Sequence, residues 1–366
     1  MSTDKKYTSI HYATYLQLNK LLDAQHTRSK ELGHEAHEET LFIIIHQVYE
    51  LWFKQMIHEL DSVMAMFSSK LVDERNIDEA VLRLERVNEI LKLLTQQIKV
   101  LETMTPIDFL EFRAYLFPAS GFQSFQFRCF ELKLGLKLEK RVAYTEHKYY
   151  KEFSPDEQVI IEELEKSESL FDVIQAWLER TPFLEMEGFD FKSKYLLAVQ
   201  HMLTKEADAI KNSEYLNAHE KEMRVKMNGD VHTFFLNIFN EEMHNTLISE
   251  NKIRLSYKAT IAALMIQLYG TEPLLQIPCR LLNAITEMDE LLTNWRYRHA
   301  QMVMRMLGRK TGTGGSSGHE YLMETVKKHQ VFIDFHNIST LLIPRSDIPE
   351  LPEELRKTLG FAFSNK

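Results

Sequence analysis

Apolar side chains recur at steps of three and four over most of the chain, the spacing that puts them on one face of a helix. Leu292, Trp295, His299, Val303 and Met306 form one such stripe, so a histidine sits within an apolar face. Phe42, His46, Tyr49, Phe53 and Met56 form a second between Glu39 and about Met66, again with a histidine turned inward. In Asn76–Glu102, Leu84, Leu91 and Ile98 alternate with Val87, Leu94 and Leu101 at heptad spacing, which predicts a long bundle helix. Tyr7–Gln25 reads as an amphipathic helix through Tyr12, Tyr15, Leu18, Leu21 and Leu22, and Ser29–Glu39 as a charged loop. Pro106 opens a short helix ending near Pro118, with Phe109, Phe112 and Leu116 on one side and Arg113 between them. Ser120 is placed to cap the next helix. Tyr144–Pro155 is polar and turn-rich, and helices are expected over Lys192–Asn212 and Asp230–Leu247. Pro273 and Pro278 mark a break before the helix of His299, and Phe332–Leu342 is a last apolar segment before a proline-punctuated tail. No strand-like alternation persists. The predicted fold is mainly α, a large helical bundle core with additional helices.

At 366 residues the chain can bury a sizeable core. Its formal net charge of −9 is spread among interspersed acids and bases, which attracts neither nucleic acid nor an anionic membrane. Only two cysteines occur, Cys129 and Cys279, and the polar Met1–Ser9 has no apolar signal core, so a reduced, cytoplasmic setting is expected. Apolar runs such as Leu41–Ile45 fall far short of the roughly 18 residues of a membrane span.

The stretch Asn294–Gly318 draws attention for its chemistry. After the His299 stripe come Gly308, Gly312, Gly314, Gly315 and Gly318, five of the chain's 12 glycines. They read either as a flexible linker or as a loop whose backbone N–H groups cradle a carboxylate. A nucleotide loop is excluded, since no Gly-Lys-Ser/Thr ending is present and the loop follows a helix. His299 is either a satisfied core histidine or a ligand; with Arg296, Arg298 and Arg305 nearby, the ligand reading points to haem with anionic propionates. His46 and Arg113 could then hold a carboxylate-bearing substrate on the opposite side. A rival reading takes Glu31-x-x-His34 and Glu241-x-x-His244 as ligand pairs of a di-iron bundle. The run Gly33–Glu39 lacks the His-Glu-x-x-His spacing of a zinc protease.

Several long phrases carry a resemblance. Tyr12–Leu16, Leu41–Gln55 (LFIIIHQVYELWFKQ), Phe112–Arg128 (FRAYLFPASGFQSFQFR), Trp295–His299 and Gly312–Gly318 (GTGGSSG) are similar, in this order, to the tryptophan 2,3-dioxygenase family. The resemblance covers nearly the whole chain and is least distinct over about residues 146–230. It implies a single all-α haem dioxygenase domain over 1–366, with an N-terminal helix at about 8–25 docking on a neighbouring subunit and a small helical insertion at about 146–230. It further implies haem b, ferrous in the active state, and opening of the indole C2–C3 bond of L-tryptophan by O2. The product is N-formyl-L-kynurenine, in the first step of the kynurenine pathway. Carried over position by position, it makes His299 the proximal iron ligand and His46 the distal residue accepting the indole N–H. Arg113 matches the arginine that pairs with the substrate carboxylate. Thr313, beside Gly314, matches the loop position that holds the ammonium and carboxylate. Phe42, Phe109, Leu116 and Ser120 match pocket positions. Tyr12 and Tyr15 match tyrosines reaching the site from a neighbouring subunit of a homotetramer. Phe109 and Phe127 stand where some bacterial members carry tyrosine, and Ala13 where glycine is usual. A haem protein acting on a modified indole, or a non-catalytic haem sensor, are the other functional classes.

Overall fold

The computed structural model describes residues 8–69, 72–142, 149–182, 184–186, 189–308, 310 and 318–360. Among the described residues three single-turn helices come first: α1 (Tyr12–Tyr15), α2 (Leu18–Leu21) and α3 (Arg28–Glu31). The one helix expected over Tyr7–Gln25 is therefore divided. Gln17 adopts φ 52°, and its side-chain amide donates to the Thr14 carbonyl at 2.6 Å, which holds the chain in a left-handed turn. Nor is Ser29–Glu39 simply a loop. The Glu39 carboxylate is buried and accepts the backbone N–H groups of Arg28 (2.8 Å) and Ser29 (2.9 Å), capping α3 from the first turn of the next helix.

The architecture rests on α4 (His37–Phe67), α5 (Glu74–Leu101) and, late in the chain, α14 (Pro273–Leu307). The heptad side chains Leu84, Val87, Leu91 and Leu94 of α5 are essentially inaccessible, each contributing about 1.5–3 kcal/mol of apolar burial. Asn88 stitches α5 to α14 by donating to the Ala284 carbonyl at 3.0 Å. Between the long helices lie α6 (Pro106–Arg113), α7 (Phe125–Leu134), α8 (Pro155–Lys166), α9 (Leu170–Leu178), α10 (Phe191–Asn212), α11 (Ala218–Ile238), α12 (Glu241–Ser249) and α13 (Tyr257–Leu268). The only strands among the described residues are β1 (Glu185–Met186) and β2 (Phe189–Asp190), a two-residue antiparallel pair too short to leave an alternation in the sequence. Both α9 and the first half of α10 feed the main core through Leu170, Phe171, Tyr195 and Val199.

Two further expectations change. The helix predicted over Asp230–Leu247 is split, because Asn240 caps α12 by accepting the Met243 N–H at 3.1 Å. Pro273 does begin α14, but Pro278 lies inside it. One turn from the N-terminus its missing N–H removes a single helical bond, and the buried ring packs in the core. Helix α14 stops at Gly308, whose φ of 59° and ψ of −131° suit glycine. It is followed by α15 (Gly318–Lys328), α16 (Ile333–Asn337) and α17 (Glu353–Leu359). A second, smaller apolar cluster, including Ile98, Leu101, Phe112, Met302 and Met306, sits apart from the main core. Beside it opens the site.

Candidate active site

A cavity of about 650 Å³ lies among α4, α6, α7, α14 and α15, and its lining is mainly apolar. That volume is in the range of pockets that enclose small molecules and cofactors. His299 faces it from α14. One turn earlier Trp295 stacks on the imidazole, with ring centroids 5.6 Å apart and planes 13° from parallel. Burial first, and the facing His46 second, push the His299 pKa down to about 4. At neutral pH the ring is therefore uncharged, the form that ligates a metal.

His46 faces the same cavity from α4. Its Nδ1 lies 2.6 Å from the Phe42 carbonyl oxygen one turn back. A carbonyl only accepts, so Nδ1 carries the proton and Nε2 keeps its lone pair. Burial lowers the His46 pKa, with the Phe42 bond and the Glu50 charge opposing it. Phe42 packs against His46 at 4.1 Å between centroids and against Phe109 at 5.9 Å, forming an aromatic floor.

Helix α6 begins with a capping box between Thr105 and Asp108 and ends at Arg113, which is half-buried and lines the cavity. Leu116, on the single 3-10 turn that follows, is also in the wall. Ser120, as expected, is a cap, but of one 3-10 turn, Gly121–Gln123; Ser124 caps α7 itself. Phe42, His46, Phe109, Arg113, Leu116, Ser120 and His299 are thus brought together. Tyr12 and Tyr15 are not: each is 70% exposed on α1 and absent from the cavity wall of this chain. Thr313 and Gly314 lie outside the described residues.

The cations flanking His299 do not act as a group. Arg298 pairs with Glu102 at 3.0 Å and Arg305 is exposed. Arg296 is buried and bonded to Glu131 on α7 at 2.8 Å. Glu131 also binds Arg128 and Arg141, so one wall of the cavity carries a buried charge cluster that sequence reasoning missed. The only signal was an Arg128/Glu131 pair amid Cys129, Phe130 and Leu132 on a short helix.

The di-iron reading fails on geometry. His244 is buried with its two ring nitrogens against the carbonyls of Ile238 (3.3 Å) and Leu255 (2.9 Å), while Glu31 and His34 are exposed. Among the described residues no group of three histidine, cysteine or acidic side chains could hold a metal ion. A neutral imidazole directed into an apolar slot with a cationic wall does fit an iron porphyrin, which brings its own four ring nitrogens and needs one protein ligand.

Comparison with known proteins bears on the same point. The tryptophan 2,3-dioxygenase family profile matches residues 2–342. The tryptophan 2,3-dioxygenase of Bdellovibrio bacteriovorus is 49% identical over 98% of this chain and 100% of its own length. That of Dictyostelium discoideum is 45% identical over 97% of this chain and 89% of its own. Tryptophan 2,3-dioxygenase B of Danio rerio is 45% identical over 95% and 86%. Likeness of this degree, sustained from end to end, cannot come from a shared fragment: the chain belongs to the tryptophan 2,3-dioxygenase family and is an oxidoreductase of the dioxygenase class.

Proposed function

We propose that the chain holds haem b through His299 and opens the indole C2–C3 bond of L-tryptophan with O2, giving N-formyl-L-kynurenine at the head of the kynurenine pathway. When bound, ferrous haem supplies the activation of dioxygen that no side chain can provide. The protein's part is to bind and orient.

The observation that carries the reading is the His46 tautomer. Its Nδ1–H is committed to the Phe42 carbonyl, so Nε2 is left as an acceptor facing the cavity, suited to an indole N–H. Indole is a very weak acid, so His46 positions the ring and need not remove its proton. Arg113 offers a planar fork to the substrate carboxylate, a match that lysine cannot reproduce. Phe42, Phe109 and Leu116 pack around the indole, Ser120 lies at the pocket edge, and Thr313 with Gly314 holds the ammonium and carboxylate. Tyr12 and Tyr15, exposed on a helix with no buried residue, complete the site of a neighbouring subunit in a homotetramer. The assembly works in the cytoplasm and needs neither nucleic acid nor membrane; no helix among the described residues is long and apolar enough to cross one.

The test is an optical spectrum of the dithionite-reduced protein, followed by L-tryptophan in air. A Soret band with near-ultraviolet growth of N-formylkynurenine is the expected result. A Soret band without product would favour the sensor class, and absence of haem after reconstitution would remove His299 as ligand.

A further inference from the structure

Glu50 stands one turn after His46 on α4, and both side chains line the cavity. Its Oε1 accepts the Ser124 hydroxyl at 2.6 Å, and its Oε2 accepts the side-chain amide of Gln126 at 3.0 Å. The same amide donates to the Glu50 backbone carbonyl at 2.9 Å, so this turn of α4 is tied to the start of α7 through both side chain and backbone. A hydroxyl and a primary amide are neutral donors, which fix a carboxylate in place without cancelling its charge. Arg128 and Arg296, which line the same cavity, are bonded to Glu131 instead. A half-buried acid is thus held at the edge of an apolar cavity, beside a histidine.

What the charge does there follows from the state of His46. Burial lowers the proton affinity of the ring, while the Nδ1 bond to the Phe42 carbonyl and the Glu50 charge both oppose the loss. Phe42 lies one turn before His46 and Glu50 one turn after, so negative groups act on the imidazole from both directions along the helix. With the Nδ1 proton committed to Phe42, the negative field of Glu50 falls on a ring whose other nitrogen is a bare lone pair. Such a field makes that lone pair a stronger acceptor, and an apolar cavity screens it weakly.

We propose, resting on His46 as the acceptor of the indole N–H, that Glu50 is a specificity-determining residue acting through His46: its charge strengthens Nε2 as an acceptor, so that the pocket selects rings carrying an N–H over isosteres that lack one. A ligand of the same shape without that proton leaves the strengthened lone pair unpaired, and the penalty grows with the strength of the acceptor. Ser124 and Gln126 hold the carboxylate at its post, and Glu50 itself need not touch the ligand.

The experiment compares the dissociation constants of L-tryptophan and of its benzofuran isostere, in which oxygen replaces the N–H, on the haem-loaded protein without O2, from the change each makes in the Soret band. The unsubstituted protein should favour tryptophan about tenfold, and Glu50→Gln should reduce that preference to about threefold. Glu50→Asp, which keeps the charge, should restore most of it. In a His46→Ala background, Glu50→Gln should leave the preference where His46→Ala alone puts it. A preference that stays at its full value in Glu50→Gln would overturn the proposal while leaving His46 as the acceptor; weaker binding of both ligands to the same degree would then mark a contact with the ligand's ammonium or a loosened junction of α4 with α7. Ser124→Ala breaks one tie of that junction but keeps the charge, so it should keep the preference. A fall there to the Glu50→Gln value would assign the effect to the junction and overturn the proposal, and this arm stands even if Glu50→Gln does not fold. No preference in the unsubstituted protein would sink the underlying reading of His46 itself.

Discussion

His299 stands on a 35-residue helix packed along α5 and α15, whereas Arg113, Leu116 and Ser120 come from an eight-residue helix and the turns after it. The first wall is continuous with the main core. The second meets that helix only through the smaller cluster, where Phe112, Phe109 and Leu116 pack with Met302 and Met306 of α14, and leads to connecting segments. On the proposed function the contrast separates two tasks. Fixing a cofactor calls for a wall that does not move, and dense packing provides it. Admitting and gripping a substrate calls for elements of low local stability, which short helices and turns provide.

Breaking the rigid wall should have the largest consequence. His299→Ala should abolish the Soret band while far-ultraviolet circular dichroism stays unchanged; retention of a normal haem spectrum would mean that another residue is the ligand. Next in size is Leu84→Ala, deep between α4, α5 and α14, expected to cost about 2–5 kcal/mol in denaturant unfolding. Leu116→Ala, in the half-buried second wall, should cost no more than about 1 kcal/mol of stability. If the two cost the same, the distinction between the walls collapses. Arg113→Lys should then raise KM for tryptophan by about 10–100-fold with a smaller change in kcat, the loss of one charge-assisted bidentate contact.

A titration sharpens the contrast from the rigid side. Burial drives the His329 pKa down to about 3 from an ordinary value of 6.5. The unfolded chain therefore takes up a proton that the folded chain refuses. The associated stability is fully present above about pH 6.5 and is lost as pH falls toward the folded value, by about 2 kcal/mol near pH 5. His329→Asn should flatten that part of the stability–pH curve; an unchanged slope would show that other groups set it. Smallest is His46→Ala, expected to lower kcat about tenfold without removing haem, because positioning is lost and no proton transfer is.

Long elements were legible in the sequence because their buried faces repeat many times. Helices α4 and α5 fall within a few residues of their predicted bounds, and the two inward histidines do share one cavity. Breaks made by single residues were harder to see. Gln17 turns left-handed without a glycine to announce it, and Pro278 sits in a helix that it was expected to precede. The charge cluster shows a different limit. Glu131 meets Arg296 across 165 positions, so nothing local distinguishes it from a solvated acid until the helices are packed. Family resemblance supplied the expectation for the substrate-side residues, but only the fold showed that Arg296 is held by a carboxylate, with Arg128 and Arg141 beside it.

The stacking of Trp295 on His299 gives the molecule an optical gauge. Of the three tryptophans, Trp177 packs edge-on against Phe67 in the main core, while Trp295 lies flat on the His299 imidazole. Indole emits where porphyrins absorb, and energy transfer falls steeply with distance. If His299 holds haem as proposed, loading of the site can therefore be followed in the protein's own fluorescence, with Trp295 darkening most and no added label to disturb the packing being watched.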